Sequence, residues 1–171
     1  TYTTLINLYG EHGKFNKVEA YVEEMKRTGV KPNVITCTTL INLYGKRGKF
    51  NKVEAYVEEM KRTGVKLNVG TYNSLISLYG EHGKFDKVEA YVEEMKRTGV
   101  KPNVGTYTTL INLYGKRGKF DKVEAYVEEM KRIGVKLDVI TYTALINLYG
   151  EHGKFNKVEA YVEEMKRTGV K

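Results

Sequence analysis

Two hydrogen-bonding positions vary in a sequence that otherwise repeats itself with few changes. At the first position Thr38 is followed one repeat later by Asn73, and at the second Asn103 is followed by Asp138. An Asp carboxylate only accepts hydrogen bonds, whereas an Asn amide both donates and accepts them. Such variation is what a recognition code would show, but Asn and Asp before Val are also common turn residues. From these residues alone, the turn interpretation is the stronger of the two.

The other chemically active residue types form no catalytic or metal-binding set. The histidines stand two repeats apart, too far for a shared metal site, at His12, His82 and His152. The single cysteine, Cys37, stands where the other repeats have Tyr, and we expect a buried small hydrophobe that leaves a local gap. The Gly-Lys-Phe phrase lacks the rest of a phosphate-binding loop. The sequence therefore predicts no enzyme, no cofactor and no metal.

The 171-residue chain matches itself at a shift of 35 residues. The same phrase begins at Thr1, Thr36, Thr71, Thr106 and Thr141. A fixed period in this range is typical of a solenoid, in which each unit packs only on its neighbours. We predict one repeat domain, with repeats at 1–33, 34–68, 69–103, 104–138 and 139–171. The copies are so alike that we favour consensus design over recent duplication.

Each repeat is predicted to form two helices. In the opening repeat, apolar residues follow the spacing of one helical face at Tyr2, Leu5, Ile6 and Tyr9. In the second repeat, the first helix is expected from about Cys37 to Tyr44, with Gly45 and Gly48 as breakers. The second helix is expected to begin at Asn51, in a capping box with Glu54, and to end before Gly64. The apolar stripe of that helix is predicted at Val53, Tyr56, Val57 and Met60.

The charge balance favours an anionic partner. The formal net charge is +8 and the isoelectric point is near 9.3. No apolar run approaches the roughly 18 residues that would cross a membrane, so we expect no membrane partner. The chain begins at Thr1 without a basic and apolar leader, so we expect a mature or recombinant product whose compartment is unknown.

Three phrases recur along the whole chain. They are Val-x-Thr-Tyr-x-x-Leu-Ile, Gly-Lys-Phe-[Asn/Asp]-Lys-Val-Glu-Ala and Glu-Glu-Met-Lys-Arg-x-Gly-Val-Lys-[Pro/Leu]-[Asn/Asp]. Together they resemble the pentatricopeptide repeat consensus at nearly every residue. The resemblance implies an all-α fold, a right-handed superhelical solenoid of five helix–turn–helix repeats. It also implies a single-stranded RNA partner, bound at one base per repeat.

In this family, two side chains of each repeat mainly read the base. The resemblance places the first reader just after the helix-opening aromatic, here at Thr3, Thr38, Asn73, Thr108 and Thr143. It places the second reader just before the Val of the next repeat, here at Asn33, Asn68, Asn103 and Asp138. By the family's pairing rules, with RNA and protein running parallel, the implied target is 5′-AACG(A/G)-3′.

The family also clamps each base between apolar residues, usually Val, that precede the Thr of neighbouring repeats. The matching residues are Ile35, Gly70, Gly105 and Ile140, so stacking should be poorer at the middle bases. A family Lys after the first helix approaches the phosphates, and Lys46 and Lys116 match it. In alternate repeats this place holds an acidic residue, as at Glu11 and Glu81. Such a residue would either oppose RNA binding or form ion pairs with the basic side chains of adjacent repeats. Both interpretations stay open.

A structural or protein-binding scaffold without significant RNA affinity is the alternative function. A pure scaffold, however, has no reason to replace Thr38 by Asn73. Both terminal repeats keep the apolar residues of the inner ones, where solenoids usually carry polar caps, so we expect end-to-end self-association. The family works mostly in mitochondria and chloroplasts, but no segment here indicates such targeting.

Overall fold

The computed structural model describes all 171 residues and contains ten α-helices joined by short turns. They are α1 (Tyr2–Glu11), α2 (Phe15–Arg27), α3 (Val34–Lys46), α4 (Phe50–Thr63), α5 (Val69–Glu81), α6 (Phe85–Arg97), α7 (Val104–Lys116), α8 (Phe120–Ile133), α9 (Val139–Glu151) and α10 (Phe155–Thr168). The predicted all-α fold of helix–turn–helix repeats is confirmed. None of the helices combines the length and apolarity that crossing a membrane requires.

The chain divides into two compact units, Thr1–Glu93 and Glu94–Lys171. In the first unit, α3 packs between α1 and α5, while α2 packs on α1 and α4 on α3. In the second unit, α7 packs on α9, while α8 packs on α7 and α10 on α9. The first helices of the repeats therefore form one layer of each unit, and the second helices cover it.

The core of a repeat lies between its two helices. In the second repeat, α3 buries Leu40, Ile41 and Tyr44. The partner helix α4 buries the predicted stripe of Val53, Tyr56, Val57 and Met60. Cys37 is buried as well, as expected of a small hydrophobe. Because one face of each helix is apolar, neither helix could bury its stripe without the other.

The first helix of the second repeat is longer than predicted at both ends. It begins at Val34 because Asn33 caps it, with the Asn33 Oδ1 accepting a hydrogen bond from the Thr36 N–H at 2.9 Å. Of the two glycines expected to end the helix, Gly45 lies inside it, whereas Gly48 follows the helix end with φ of 71°. A Cβ at Gly45 would lie 2.5 Å from Leu78 Cδ1 of the next repeat. This glycine therefore permits close packing of α3 and α5.

Replacing Gly45 by Ala is expected to destabilise the protein, although Ala is the better helix former by about 1 kcal/mol. The added methyl group overpacks the contact with Leu78, at a cost of about 1–3 kcal/mol in the free energy of unfolding. Leu78 is itself buried, so its side chain cannot simply move aside. Chemical denaturation of the variant and the parent would measure the difference.

Gly150→Ala is the matched control for this prediction. Gly150 has the same place in the last repeat, where an added Cβ meets only Val158 Cγ2, at 3.9 Å. Ala should therefore stabilise the protein at Gly150 and destabilise it at Gly45. Equal stabilities of the two variants would show that the contact with Leu78 does not require a glycine.

The second helix of the repeat begins without the predicted capping box. α4 starts at Phe50 after Lys49, and no side chain caps it. Glu54, which we expected to bond back to the start of its own helix, instead accepts hydrogen bonds from Tyr91 Oη at 2.5 Å and from Lys87, both in the next repeat. Burial raises the pKa of Glu54, but these hydrogen bonds outweigh it and hold the pKa below its usual range. Glu54 thus joins two repeats.

The predicted end of the second helix is confirmed. Gly64 follows α4 with φ of 79°, in the left-handed region that glycine adopts without a Cβ clash. Its N–H bonds to the Lys61 carbonyl, and the Val65 N–H bonds to the Met60 carbonyl at 2.8 Å. These bonds satisfy carbonyl groups that the helix end leaves unpaired.

Candidate nucleic-acid interface

The predicted first readers lie on the first helices of the repeats. Most of them are half-buried, and Thr143 is exposed. Thr3, Thr38 and Thr108 each form a hydrogen bond with the threonine at the third position of the following repeat. The partners are Thr36, Thr71 and Thr141, at Oγ1–Oγ1 distances of 2.8, 2.8 and 2.9 Å. Each of these readers is therefore held from the side by the next repeat.

The predicted second readers are the N-cap residues of the following first helices. At Asn68, the Oδ1 accepts hydrogen bonds from the Thr71 N–H at 2.9 Å and from the Thr71 hydroxyl at 3.0 Å. The same pair of bonds recurs at Asn33, Asn103 and Asp138. These residues thus have a local structural role as helix caps. The three asparagines are exposed, and Asp138 is half-buried. At Asn68 both of these bonds go to one polar atom of the side chain, the Oδ1.

A buried threonine joins the two predicted readers of one repeat. Thr71 contacts both Thr38 and Asn68, which are the first and second readers of the second repeat. The same bridge recurs in the sets Thr3–Thr36–Asn33 and Thr108–Thr141–Asp138. This threonine was not among the predicted site residues, although it is present in every copy of the repeat. Its bond to Thr38 is a contact between repeats, which spacing along the chain does not show.

The bridge determines which atom of each second reader faces away from the helix. A backbone N–H only donates, so the side-chain atom bonded to the Thr71 N–H must be the Asn68 oxygen. The Asn68 Nδ2 is therefore directed outward as a donor. At Asp138 both side-chain atoms are oxygens, so the outward atom is an acceptor. An Asp carboxyl is already ionised at neutral pH, and the backbone N–H of Thr141 holds the pKa of Asp138 further below its usual range.

The bridge also orients the hydroxyl of the first reader. Thr71 donates its only hydroxyl proton to Asn68 Oδ1, so it accepts a proton from Thr38 in their 2.8 Å contact. Thr38 then has lone pairs, and no proton, for a ligand. In the second repeat the two readers thus present one acceptor and one donor side by side.

Two of the predicted base clamps are exposed apolar side chains. Ile35 and Ile140 are 64% and 65% exposed, although large aliphatic residues usually lie inside a protein. Each follows a second reader by two residues, at the start of a first helix. Gly70 and Gly105 hold the same place and are exposed as well, but they have no side chain to stack on a base.

The predicted phosphate contacts lie at the other end of the first helices. Lys46 and Lys116 are the exposed last residues of α3 and α7. At about 1.5 Å per residue, Lys46 lies about 12 Å along the axis from Thr38. The structure thus separates the predicted phosphate contacts from the predicted readers by about two helical turns.

The acids that alternate with these lysines bond within their own helices. Glu11 accepts a hydrogen bond from Asn7 at 3.1 Å, and Glu81 accepts one from Ser77 at 3.2 Å. Ion pairs between neighbouring repeats occur on the second helices, for example between Lys26 and Glu59 at 3.1 Å. These pairs are partly exposed, and such pairs contribute only about 0–1 kcal/mol each.

Repeated helix pairs, with polar side chains at corresponding places on successive first helices, define a helical-repeat protein. The family model described as the pentatricopeptide repeat domain matches residues 56–117 and 126–171. The model described as the PPR repeat family matches residues 1–42, 32–77 and 102–148. The chain belongs to the pentatricopeptide repeat family. Among curated protein sequences, none matches it.

Several solved structures have the same fold. The pentatricopeptide repeat protein PPR10 from maize aligns with a TM-score of 0.84 at 24% identity, over 99% of this chain and 24% of that one. PPR10 in complex with an 18-nt psaJ RNA element aligns with a TM-score of 0.81 at 24% identity, over 99% of this chain and 25% of that one. The PPR domain of Arabidopsis thaliana protein-only RNase P 1 in complex with tRNA aligns with a TM-score of 0.72 at 15% identity, over 97% of this chain and 88% of that one. This chain spans about a quarter of the length of PPR10.

Proposed function

We propose that this protein binds single-stranded RNA selectively, at one base per repeat, and prefers 5′-AACG(A/G)-3′. The threonine bridge carries the proposal, because it gives a defined outward donor or acceptor to the reader pairs that it joins. The solved structures of PPR10 with an RNA element and of protein-only RNase P 1 with tRNA support RNA as the ligand. The net charge of +8 favours a polyanion as well.

The outward atoms suit the proposed bases. Single-stranded RNA offers the Watson–Crick edges of its bases, on which adenine N1 accepts a hydrogen bond and guanine N1–H donates one. The amides of Asn33 and Asn68 can donate to adenine N1, whereas the carboxylate of Asp138 can accept from guanine N1–H. Thr38, as an acceptor, suits the amino group that adenine carries beside N1. The adenines at the first two bases and the guanine at the fourth therefore complement the outward atoms of the second readers Asn33, Asn68 and Asp138.

Fluorescence anisotropy with short labelled strands tests this proposal. The protein should bind an RNA containing AACGA more tightly than a scrambled RNA and than the DNA of the same sequence, at two salt concentrations. Equal and strongly salt-dependent binding to all three strands would indicate a basic surface without base readout. Absence of binding would indicate a repeat scaffold.

The predicted phosphate-binding lysines imply a smaller salt dependence in one variant. Replacing Lys46 and Lys116 by Ala should reduce the slope of log K against log salt by about 0.7 for each phosphate of a single strand that is no longer neutralised. The preference for AACGA over the scrambled RNA should persist, because phosphates carry no base identity. The matched control replaces Lys31 and Lys101, two exposed lysines in the turns between repeats. If both double variants change the slope equally, the lysines act only through net charge.

Replacing Thr71 by Val should weaken the choice of the second base while the fold is kept. Val has nearly the shape of Thr but lacks the hydroxyl, so Thr38 loses its partner while Asn68 keeps only the bond from the backbone N–H of residue 71. We expect the preference for adenine over guanine at this base to fall by about threefold to tenfold, the equivalent of one hydrogen bond. The choice at the fourth base should stay unchanged.

Thr39→Val provides the control for the bridge. The Thr39 hydroxyl lies beside the reader Thr38 on α3 but bonds to the Ile35 carbonyl of its own helix, at 2.8 Å. This variant should keep the preference for adenine at the second base. If Thr39→Val and Thr71→Val lose the same selectivity, the bridge does not orient the readers.

We also propose that the 171-residue polypeptide associates end to end. Phe50 stacks on Tyr79 of the following repeat at 4.5 Å, whereas the corresponding Phe155 is 64% exposed. Tyr9 of the first repeat corresponds to Tyr79 and could cover Phe155 of a second copy. Light scattering over a range of protein concentrations should show dimers or longer stacks, and Phe155→Glu should reduce them. A strictly monomeric mass at high concentration would contradict the proposal.

A further inference from the structure

A cavity lies between the first two repeats, beside Cys37. Its volume is about 380 Å³, and its wall includes Lys26, Val30, Glu59 and Thr63. Cys37 stands where the other four repeats have Tyr. The position of this cavity therefore suggests that it is the space of a missing tyrosine ring.

The last repeat shows how a tyrosine fills this space. Tyr142 Oη donates a hydrogen bond to Glu164 at 2.9 Å, and Thr168 and Lys131 lie near enough to the phenol to affect its pKa. When the repeats are aligned with one another, these three neighbours correspond to Glu59, Thr63 and Lys26, and all three line the cavity. The cavity wall is thus the tyrosine site of the other repeats without the tyrosine.

The carboxylate in the wall keeps the oxygen that a tyrosine hydroxyl would use. In the last repeat, Glu164 pairs with Lys131 through Oε1 and accepts from Tyr142 through Oε2. Glu59 pairs with Lys26 and Arg62 through Oε1 as well. Its Oε2 therefore has the place of the acceptor for a phenolic hydroxyl.

The preceding repeat contributes an apolar side chain to the wall. Val30 lines the cavity and is 45% exposed. An aromatic ligand beside Cys37 would cover Val30 and remove apolar surface from water. In other proteins, apolar cavities of roughly 150 Å³ take up benzene, so a space of this size can hold one ring.

We propose that this cavity is a binding site for small phenols, with p-cresol, the side chain of tyrosine, as the probe. The ring occupies the place that the tyrosine ring has in the other repeats, and its hydroxyl donates to Glu59. This site uses neither the predicted base readers nor RNA, so it stands or fails independently of the function proposed above.

Thermal unfolding with increasing p-cresol tests the proposal, with Cys37→Tyr as the matched control. Binding to the folded protein alone should raise its Tm with concentration until the site is filled. The Cys37→Tyr variant should have the higher Tm without ligand, by about 2 °C or more, and should gain nothing from p-cresol. Equal shifts in both proteins, or no rise in either, would overturn the proposal.

Toluene and the thiol provide two further measurements. Toluene lacks the hydroxyl that bonds to Glu59, so it should bind about tenfold more weakly than p-cresol. Cys37 is the only cysteine, so its alkylation reports directly on the cavity. Saturating p-cresol should slow that alkylation severalfold. Alkylation at an unchanged rate would place any bound phenol elsewhere.

Discussion

Replacing Asp138 by Asn is expected to change the preferred fourth base of the RNA from guanine to adenine. The helix cap should survive, because Asn33 and Asn68 make the same bonds to their threonines that Asp138 makes to Thr141. The atom that faces outward changes from an accepting oxygen to a donating NH2 group. Guanine N1–H then meets a donor, whereas adenine N1 meets the donor that it needs. The change thus acts on recognition and leaves the fold intact.

The expected size of this switch is about tenfold in each direction, since one hydrogen bond gained or lost at a base edge corresponds to about 1–3 kcal/mol. Anisotropy titrations with AACGA and AACAA, against parent and variant, give the ratio directly. The variant also removes a negative charge, which raises the affinity for both strands equally and cancels in that ratio.

The reverse change provides the control. Asn68→Asp should turn the second base from adenine to guanine, with no effect at the fourth base. If both substitutions alter overall affinity without changing either base preference, these residues act only as helix caps.

Replacing Gly70 and Gly105 by Ile should raise the affinity for RNA by about tenfold or more. Each isoleucine could bury about 40 Å² of apolar surface against a base, which contributes about 1 kcal/mol. An added Cβ at Gly70 lies 3.3 Å from Asn68 Oδ1, so a small adjustment is needed. Ile35 has the same place beside Asn33, which shows that the repeat accommodates it. Titration of AACGA with the double variant would measure the gain.

The reciprocal variant tests whether exposed apolar side chains at this place bind bases at all. Changing Ile35 and Ile140 to Gly should weaken binding by a similar factor, since it removes the stacking surface. A double variant at Gly70 and Gly105 that binds no better than the parent would contradict the clamp. Circular dichroism would show that both double variants keep the same helix content.

Patterns within one repeat predicted the helices well. They failed where a side chain of the neighbouring repeat binds a group that the local pattern assigned to its own helix. The apolar stripes and Gly64 depend on residues close in sequence, so spacing alone revealed them. Glu54 has the sequence of a capping box with Asn51, yet the Tyr91 and Lys87 side chains of the next repeat attract it more strongly. The close contact with Leu78 of the next repeat also explains why a position inside α3 is occupied by a glycine, Gly45, which the pattern of a single repeat would read as a helix end.

The candidate site could be predicted only in part. The resemblance to the family named the readers, but the residues alone favoured turn positions, and the second readers are indeed helix caps. The bridge through Thr71 was not visible in the sequence, because it joins side chains of consecutive repeats. The gap beside Cys37 was expected from the loss of a ring, whereas the role of the Glu59 Oε2 as an acceptor was inferred only by comparison with Glu164.

Exchanging the third and fourth bases of the RNA tests the central claim most directly. The reader pairs differ at these repeats, with Asn73 and Asn103 for one base and Thr108 and Asp138 for the next. If each repeat reads one base in this register, AACGA should bind at least about tenfold more tightly than AAGCA, which has the same composition and charge. Equal affinities for the two strands would contradict base readout by these residues.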